Sequence, residues 1–510
     1  MTYTDLEGRF ARIGDLMHVA SIMGWDEAVM MPASGGAARA DAMGTLSGLI
    51  HELRSDPILG ELLAAARETA DADGLDAWQR ANLGEMERSY QRATAVPREL
   101  VEELARAATE AEQAWRRLRP RNDWQGFSPL LQRLVSLSRD KATVLGDALG
   151  LSPYDALMDA YEPGGRSATI DLLFEELGAV LPDLIERIIE RQAGEPVVEP
   201  VGPFPVDAQR RLGERLMRAV GLDLSRARLD VSHHPFCGGV PSDVRITTRY
   251  DESDFTSALM GVLHETGHAK YEQGLPERWH RQPVGQARGM AVHESQSLLL
   301  EMQVCRGPDF LAFAAPIIRQ ELAEAAARQP GAFELSNLRR LYTRVERSFI
   351  RVDADEVTYP CHIILRYEIE RKLISGEMRV AEIPEAWDAG MRRLLEISTG
   401  DDHRNGCMQD VHWAAAAFGY FPTYTLGAMT AAQLYRAALR DVPSIPGELQ
   451  RGDFTGLDGW LREKVWSRAS SSTTDGLLMQ ATGEPLGARP FLEHLRERYL
   501  GEASVDRGAD

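Results

Sequence analysis

Long apolar runs are missing from this 510-residue chain. None approaches the roughly 18 to 20 consecutive apolar residues that span a bilayer, and charges or glycines interrupt the longest candidates, so no membrane crossing is expected. Cysteine is scarce. Cys237, Cys305, Cys361 and Cys407 are the four present, without a C-x-x-C pair, which argues against a disulfide framework and for reduced thiols in a cytoplasmic protein. Positive charge is in deficit: Lys and Arg total 57 against 77 Asp and Glu, a formal net charge of -20 with a pI near 5.2. An acidic body repels polyanions, so neither nucleic acid nor an anionic membrane surface is an expected partner. The opening MTYTDLEGRFARIGDLMHVA lacks the basic and apolar regions of a secretion signal, so export is not expected. Internal repeats and low-complexity tracts are also missing.

What remains is mostly helical pattern. The hydrophobic fraction of 44% supports a large core, and length alone would allow about three domains. From Tyr3 to about Gln192, stretches such as LLAAARETA and LVEELARAATEAEQAWRRL repeat apolar residues at three- and four-residue spacing, which predicts helices. Ala193 to Val206, AGEPVVEPVGPFPV, breaks that pattern and reads as a long connection. Arg228–Val231 and Val244–Tyr250 alternate and are rich in β-branched residues, predicting two short strands around the turn-rich HHPFCGGVPSD. Helical pattern then resumes after Asp254, and GEASVDRGAD, residues 501–510, reads as a frayed tail.

One segment carries chemistry. Ser257 to Glu272 has helical composition and contains His264-Glu265-Thr266-Gly267-His268. Histidines four apart lie one turn apart on one helical face, so both imidazoles reach a single ion. Glu265 is one position round from the first of them, where a carboxylate serves as general base beside the metal. Gly267 would cost about 1 kcal/mol against Ala in an open helix, so it implies close packing or an approaching ligand at that turn. A catalytic zinc takes three protein ligands and an exchangeable position. His293 and Glu294, in AVHESQSLLLEMQV, are the candidates for the third; they point about 100° apart on a helix, so both cannot easily ligate. Either side chain can bind zinc, and the residues alone favour Glu294 without settling the choice.

HETGH followed by HES resembles the M32 family of metallocarboxypeptidases, the thermostable-carboxypeptidase type. Further motifs of that family occur in order: His234-Pro235-Phe236 for HPF; Asp243, Arg245 and Thr247 for D-x-R-x-T; Ile350, Arg351, Ala354 and Asp355 for I-R-x-x-A-D; and Gly406 to Trp413 for G-x-x-Q-D-x-H-W. Upstream, WDEAVMMP at Trp25 to Pro32 is similar to the family's N-terminal hairpin, with Val29 at a usually Thr-like position.

The resemblance implies a mainly α fold: one large helical body over 1–510, with 1–192 covering a deep groove, 206–500 forming the catalytic part, and a small β-sheet near the zinc site. It also implies a homodimer that removes single residues from free peptide C-termini with broad preference. Carried over residue by residue, it makes His264, His268 and Glu294 the ligands of one Zn2+ per chain, for which Co2+ or Mn2+ could substitute. Glu265 becomes the acid/base for attack by a zinc-bound water, and His293 falls behind the ligands. Arg351 is the candidate for the substrate's terminal carboxylate, its bland alternative being an ion pair with Asp353 or Asp355. Arg245 is the reserve, with pairing to Asp243 at least as strong a reading. His234, His412 and Tyr420 are candidate donors to the oxyanion or substrate backbone, against ordinary packing roles. An edge of the small sheet is a candidate partner for an extended peptide. Two rivals remain: an endo- or oligopeptidase, since H-E-x-x-H does not fix where a peptide is cut, and a noncatalytic protein folded around a closed metal site.

Overall fold

The computed structural model describes residues 2–71 and 74–502. Of the tail expected over 501–510, residues 503–510 lie outside the described residues. The chain is 70% helical with one three-stranded sheet, as the mainly α expectation requires. No helix among the described residues is long and apolar enough to cross a membrane.

Helices α1 (Thr2–Val29) and α2 (Gly36–Ser55) form an N-terminal pair, followed among others by α3 (Arg98–Leu118), α4 (Trp124–Leu149) and α5 (Ser167–Gln192). The connection over residues 193–205 contains neither helix nor strand. The sheet comes next: β1 (Ala227–Val231), β2 (Phe236–Val240) and β3 (Asp243–Thr248), in the order β1-β3-β2, with β1 parallel and β2 antiparallel to β3. β1 and β3 match the sequence reading. β2, an edge strand of the sheet, corrects it, because Phe236–Val240 was expected to be turn. Its paired glycines have low strand propensity, yet the tight β2–β3 reversal demands one. Gly239 sits at φ +89°, and a Cβ there would stand 2.1 Å from the Asp243 carbonyl oxygen.

Helix α6 (Phe255–Gly274) starts where Asp254 accepts the backbone N–H groups of Thr256 and Ser257, satisfying donors that the first turn leaves orphaned. It is buried on nearly every face. α7 (Met290–Leu298) runs on into a π-helical turn, Leu299–Cys305; α8 (Tyr359–Ser375) and α9 (Pro422–Asp441) follow, each with proline in its first turn.

Two large apolar cores meet along α7 and α9. One joins Leu131 and Ile185 to Ile364 and Leu373, drawing on residues from both sides of the 193–205 connection; the other packs Phe255 and Leu263 with Phe310, Phe333 and Trp466. On α7, Ala291 belongs to the first core and Val292 to the second; on α9, Met429 and Leu434 divide the same way. α7 is therefore clamped between α6 and α9, and glycine makes the clamp possible. A Cβ on Gly267 would lie 2.4 Å from the Gln296 carbonyl oxygen and 2.6 Å from Ser297 Cα; one on Gly427 would lie 2.8 Å from the Glu294 side chain. Of the two explanations for Gly267, close helix packing is the one observed.

Candidate metal centre

The His264 and His268 rings leave one face of α6 towards Glu294 on α7. Their Nε2 atoms stand 3.8 and 3.4 Å from Glu294 Oε2, and the three ligand atoms lie within 4.8 Å of one another. Ligands about 2.0–2.1 Å from a tetrahedral ion are about 3.3 Å apart, so the group is the right size for a small divalent cation. It is the one such cluster of metal-binding side chains among the described residues. Two imidazoles and a carboxylate also leave a coordination position for a reactant.

The electrostatics ask for positive charge. Burial alone would lower the His264 imidazole, but Glu294, Glu301 and Glu265 outweigh it and push it up to about 10. Burial pushes the Glu265 carboxyl up to about 7, with His264 opposing. Glu294 is held down at about 2 despite its burial, chiefly by His264 and by its hydrogen bond with His268. His268 falls to about 4 through burial and the neighbouring His293. Glu265, Glu294 and Glu301 bring three carboxylates, two of them buried, around the two histidines, and Arg306 answers one of them, Glu301, at 2.6 Å. A bound cation would relieve this imbalance.

Each histidine is also held from behind. His264 Nδ1 lies 2.9 Å from Glu301 Oε2. His268 Nδ1 faces the His293 carbonyl oxygen at 3.1 Å and His293 Nδ1 at 2.7 Å, and His293 Nε2 lies 2.9 Å from Glu272. The geometry thus places Glu294 in the cluster and His293 behind His268.

On another side stands an aromatic and arginine group. Arg351 is buried and donates from Nε and Nη2 to Asp410 Oδ1 and from Nη1 to the Tyr359 hydroxyl, at 3.0, 2.8 and 2.9 Å. Its ion pair is with Asp410, not with Asp353 or Asp355. Arg366 takes the other oxygen of the same carboxylate, Oδ2, at 2.7 Å. Two arginines against one aspartate leave a surplus positive charge. His412 Nε2 lies 3.2 Å from the Tyr424 hydroxyl, its ring packs on Phe421 and Tyr420, and burial lowers it to about 4 despite Asp410. The Tyr420 ring meets Tyr161 edge-on at 4.9 Å, and burial together with the Glu294 charge raises its phenol. Tyr359 and Tyr424 have their phenols raised first by burial, and both lie close enough to Arg351 and to Glu294 for the two charges to act on them in opposite directions.

Two other candidates stand apart. Arg245 gives its fork to Asp243 at 2.6 and 2.7 Å and stacks on Trp25 of α1, 4.5 Å from the ring centroid, which is the structural alternative stated above. The exposed His234 ring packs against His233, and burial, His233, Arg249 and Arg116 lower its pKa. The sheet edge at β2 is partly taken: Ser21 of α1 donates to the Gly239 carbonyl and accepts the Gly239 N–H.

Sequence reasoning overlooked Tyr359, Tyr424, Asp410 and Glu301 as members of this region. Asp410 lies two residues before His412 in a motif already quoted. Glu301 is seven residues after Glu294, two turns along the same helical face, a spacing that could have found it.

Comparison with known proteins follows the same residues. The family model described as Carboxypeptidase Taq (M32) metallopeptidase matches residues 5–499. The chain is 39% identical over 492 residues to thermostable carboxypeptidase 1 of Thermus thermophilus, covering 95% of each, and 34% identical over 489 residues to carboxypeptidase 1 of Bacillus subtilis, covering 96% of each. Among solved structures, it is similar to Trypanosoma cruzi metallocarboxypeptidase 1, with TM-score 0.95, 41% identity, and coverage of 98% of this chain and 99% of the other. It is likewise similar to the M32 carboxypeptidase from Deinococcus radiodurans, with TM-score 0.92, 34% identity and 98% coverage of both chains.

Proposed function

Because this chain belongs to the carboxypeptidase Taq (M32) metallopeptidase family and is a metallocarboxypeptidase, we propose that it releases single residues from the free C-termini of peptides, with broad preference. The observation that carries this reading is the convergence of His264 Nε2, His268 Nε2 and the Glu294 carboxylate, with the buried Glu265 beside them on the same helix.

In this reading zinc occupies the cluster, one ion per chain, and supplies Lewis acidity towards the scissile carbonyl and towards water. Glu265 takes the proton of the attacking water and returns it to the departing amine, so one carboxylate serves both halves of the reaction. Arg351 faces the substrate's terminal carboxylate, a role supported by the surplus charge it shares with Arg366 around Asp410. His412, Tyr420 and Tyr424 lie on the same side and supply polar atoms for the peptide. His234 and Arg245 are left with weaker support, since their nearest partners are other than the metal cluster. We also propose a cytoplasmic location and a homodimer as the working state.

The test is mass spectrometry of a defined peptide and its C-terminal amide, incubated with Zn2+-loaded protein and with a chelated control. A metal-dependent ladder shortening from the free C-terminus alone is expected. Internal cuts in both peptides would replace this reading with an endopeptidase, and intact peptides would revive a purely structural metal site.

A further inference from the structure

The two histidines of the cluster are supported unequally, and the difference starts in the backbone. His268 directs Nδ1 at a backbone carbonyl, that of His293, and at the His293 ring. His264 has a side-chain carboxylate instead, Glu301 Oε2 at 2.9 Å. Glu301 lies in the π-helical turn Leu299–Cys305 that continues α7. There the Arg306 N–H donates to the Glu301 carbonyl at 3.0 Å, an i to i+5 bond, and Arg306 Nη2 donates to Glu301 Oε1 at 2.6 Å. In α-helical register a residue five positions on points about 140° away, so the wider turn is what brings the guanidinium back over the carboxylate. Arg306 is tied down in turn by the Tyr342 carbonyl oxygen at 3.3 Å. Glu301 therefore has one oxygen on a fixed cation and the other on His264, and its side chain is 9% exposed.

We infer that Glu301, held by Arg306 on the π-helical turn, is the positioning residue that sets the metal affinity of this site by fixing the His264 ring. A carboxylate acceptor at Nδ1 keeps the proton on that nitrogen, leaves the Nε2 lone pair towards the ion, and raises the basicity of the ring as a ligand. His268 has no carboxylate at its Nδ1, where Glu272 reaches only the intervening His293 ring, so Glu301 is the one carboxylate behind either histidine that meets the ring directly.

The inference rests on the metal site proposed above, and the experiment separates the two. Zn2+ affinity of the apoprotein is measured by competition with a chromogenic chelator, for wild type and Glu301→Gln, beside the thermal midpoint of each apoprotein. Glu301→Gln is expected to bind Zn2+ 10- to 100-fold more weakly, and an affinity within about threefold of wild type would overturn the inference. A role in packing alone would lower the midpoint and leave the affinity in place. If Glu301→Gln does not fold, nitrogen-15 NMR of histidine-labelled, Zn2+-loaded wild type decides. His264 should show a protonated, slowly exchanging Nδ1 and a metal-bound Nε2, and the opposite tautomer would overturn the inference. Wild type that binds no Zn2+ at all would sink the metal-site reading itself.

Discussion

Asp410 divides its carboxylate between two arginines, Oδ1 to Arg351 and Oδ2 to Arg366, in a setting where all three side chains are nearly excluded from water. The pairing fixes the Arg351 guanidinium and still leaves one positive charge unanswered. Arg351→Ala is expected to reduce the preference for a free-acid peptide over its amide by about 10- to 100-fold, the worth of a charge-assisted hydrogen bond. Comparing kcat/KM for the two peptides in both proteins checks it, and an unchanged preference would take the role from Arg351. Asp410→Asn leaves two buried guanidinium groups short of a counter-charge, and should cost on the order of 3–5 kcal/mol in denaturant unfolding.

Gly267 and Gly261 lie on the same helix and should respond oppositely to alanine. Nothing lies within 4 Å of a Cβ on Gly261, whereas one on Gly267 meets the α7 backbone. Gly261→Ala is expected to stabilise by up to about 1 kcal/mol through helix propensity. Gly267→Ala should destabilise by about 1–3 kcal/mol and weaken Zn2+ binding, because α7 must move away with Glu294 on it. Equal effects in urea unfolding would mean that the α6–α7 contact is looser than described.

Glu265→Gln keeps the shape of the side chain and removes the proton acceptor. Turnover should fall by about 10²- to 10⁴-fold while Zn2+ stoichiometry stays that of wild type. Metal analysis alongside steady-state kinetics measures both, and near-normal turnover in the fully loaded variant would exclude Glu265 as the base.

Acid should release the C-terminal end of the chain through Glu356. Burial alone would raise this carboxyl, but His494, Arg498 and the Tyr499 hydroxyl outweigh it and hold it at about 2, against an ordinary value of 4.5. A group depressed in the folded state contributes stability above its unfolded pKa and loses it as pH falls towards the folded one. The contribution, carried by Arg498 and the Tyr499 hydroxyl where His494 is neutral, is therefore present above about pH 4.5 and fades as pH falls towards 2. Melting curves of wild type and Glu356→Gln should differ most at neutral pH and converge in acid. A gap that widens on acidification would contradict this account.

Much of the metal cluster is local, which is why it was legible. His264 and His268 need only helical periodicity to share a face, and Glu265 follows from its place between them. The helical character of residues 2–29 and 255–274 likewise follows from apolar spacing and composition. Strand Phe236–Val240 was not legible, because its glycines are there for a close backbone approach that only the folded β2–β3 turn creates. The partner of Arg351 was not legible either: Asp353 and Asp355 are near in sequence, but the chain brings Asp410 to it from 59 residues away.

The sequence by itself determined the helical class and the face of one helix that carries both His264 and His268, since both depend on interactions within a few residues along the chain. Family motifs then chose Glu294 over His293, a choice that residue types left open. Only the tertiary structure decided what stands behind the two histidines, Glu301 with its π-helical turn and the His293–Glu272 pair, and how Asp410 is divided between two arginines. These depend on how α6, α7, α8 and α9 approach one another, which Gly267 and Gly427 permit and no local pattern encodes. Burial then sets the strength of each charge, because a carboxylate in the seam between two apolar cores has only its protein neighbours to answer it.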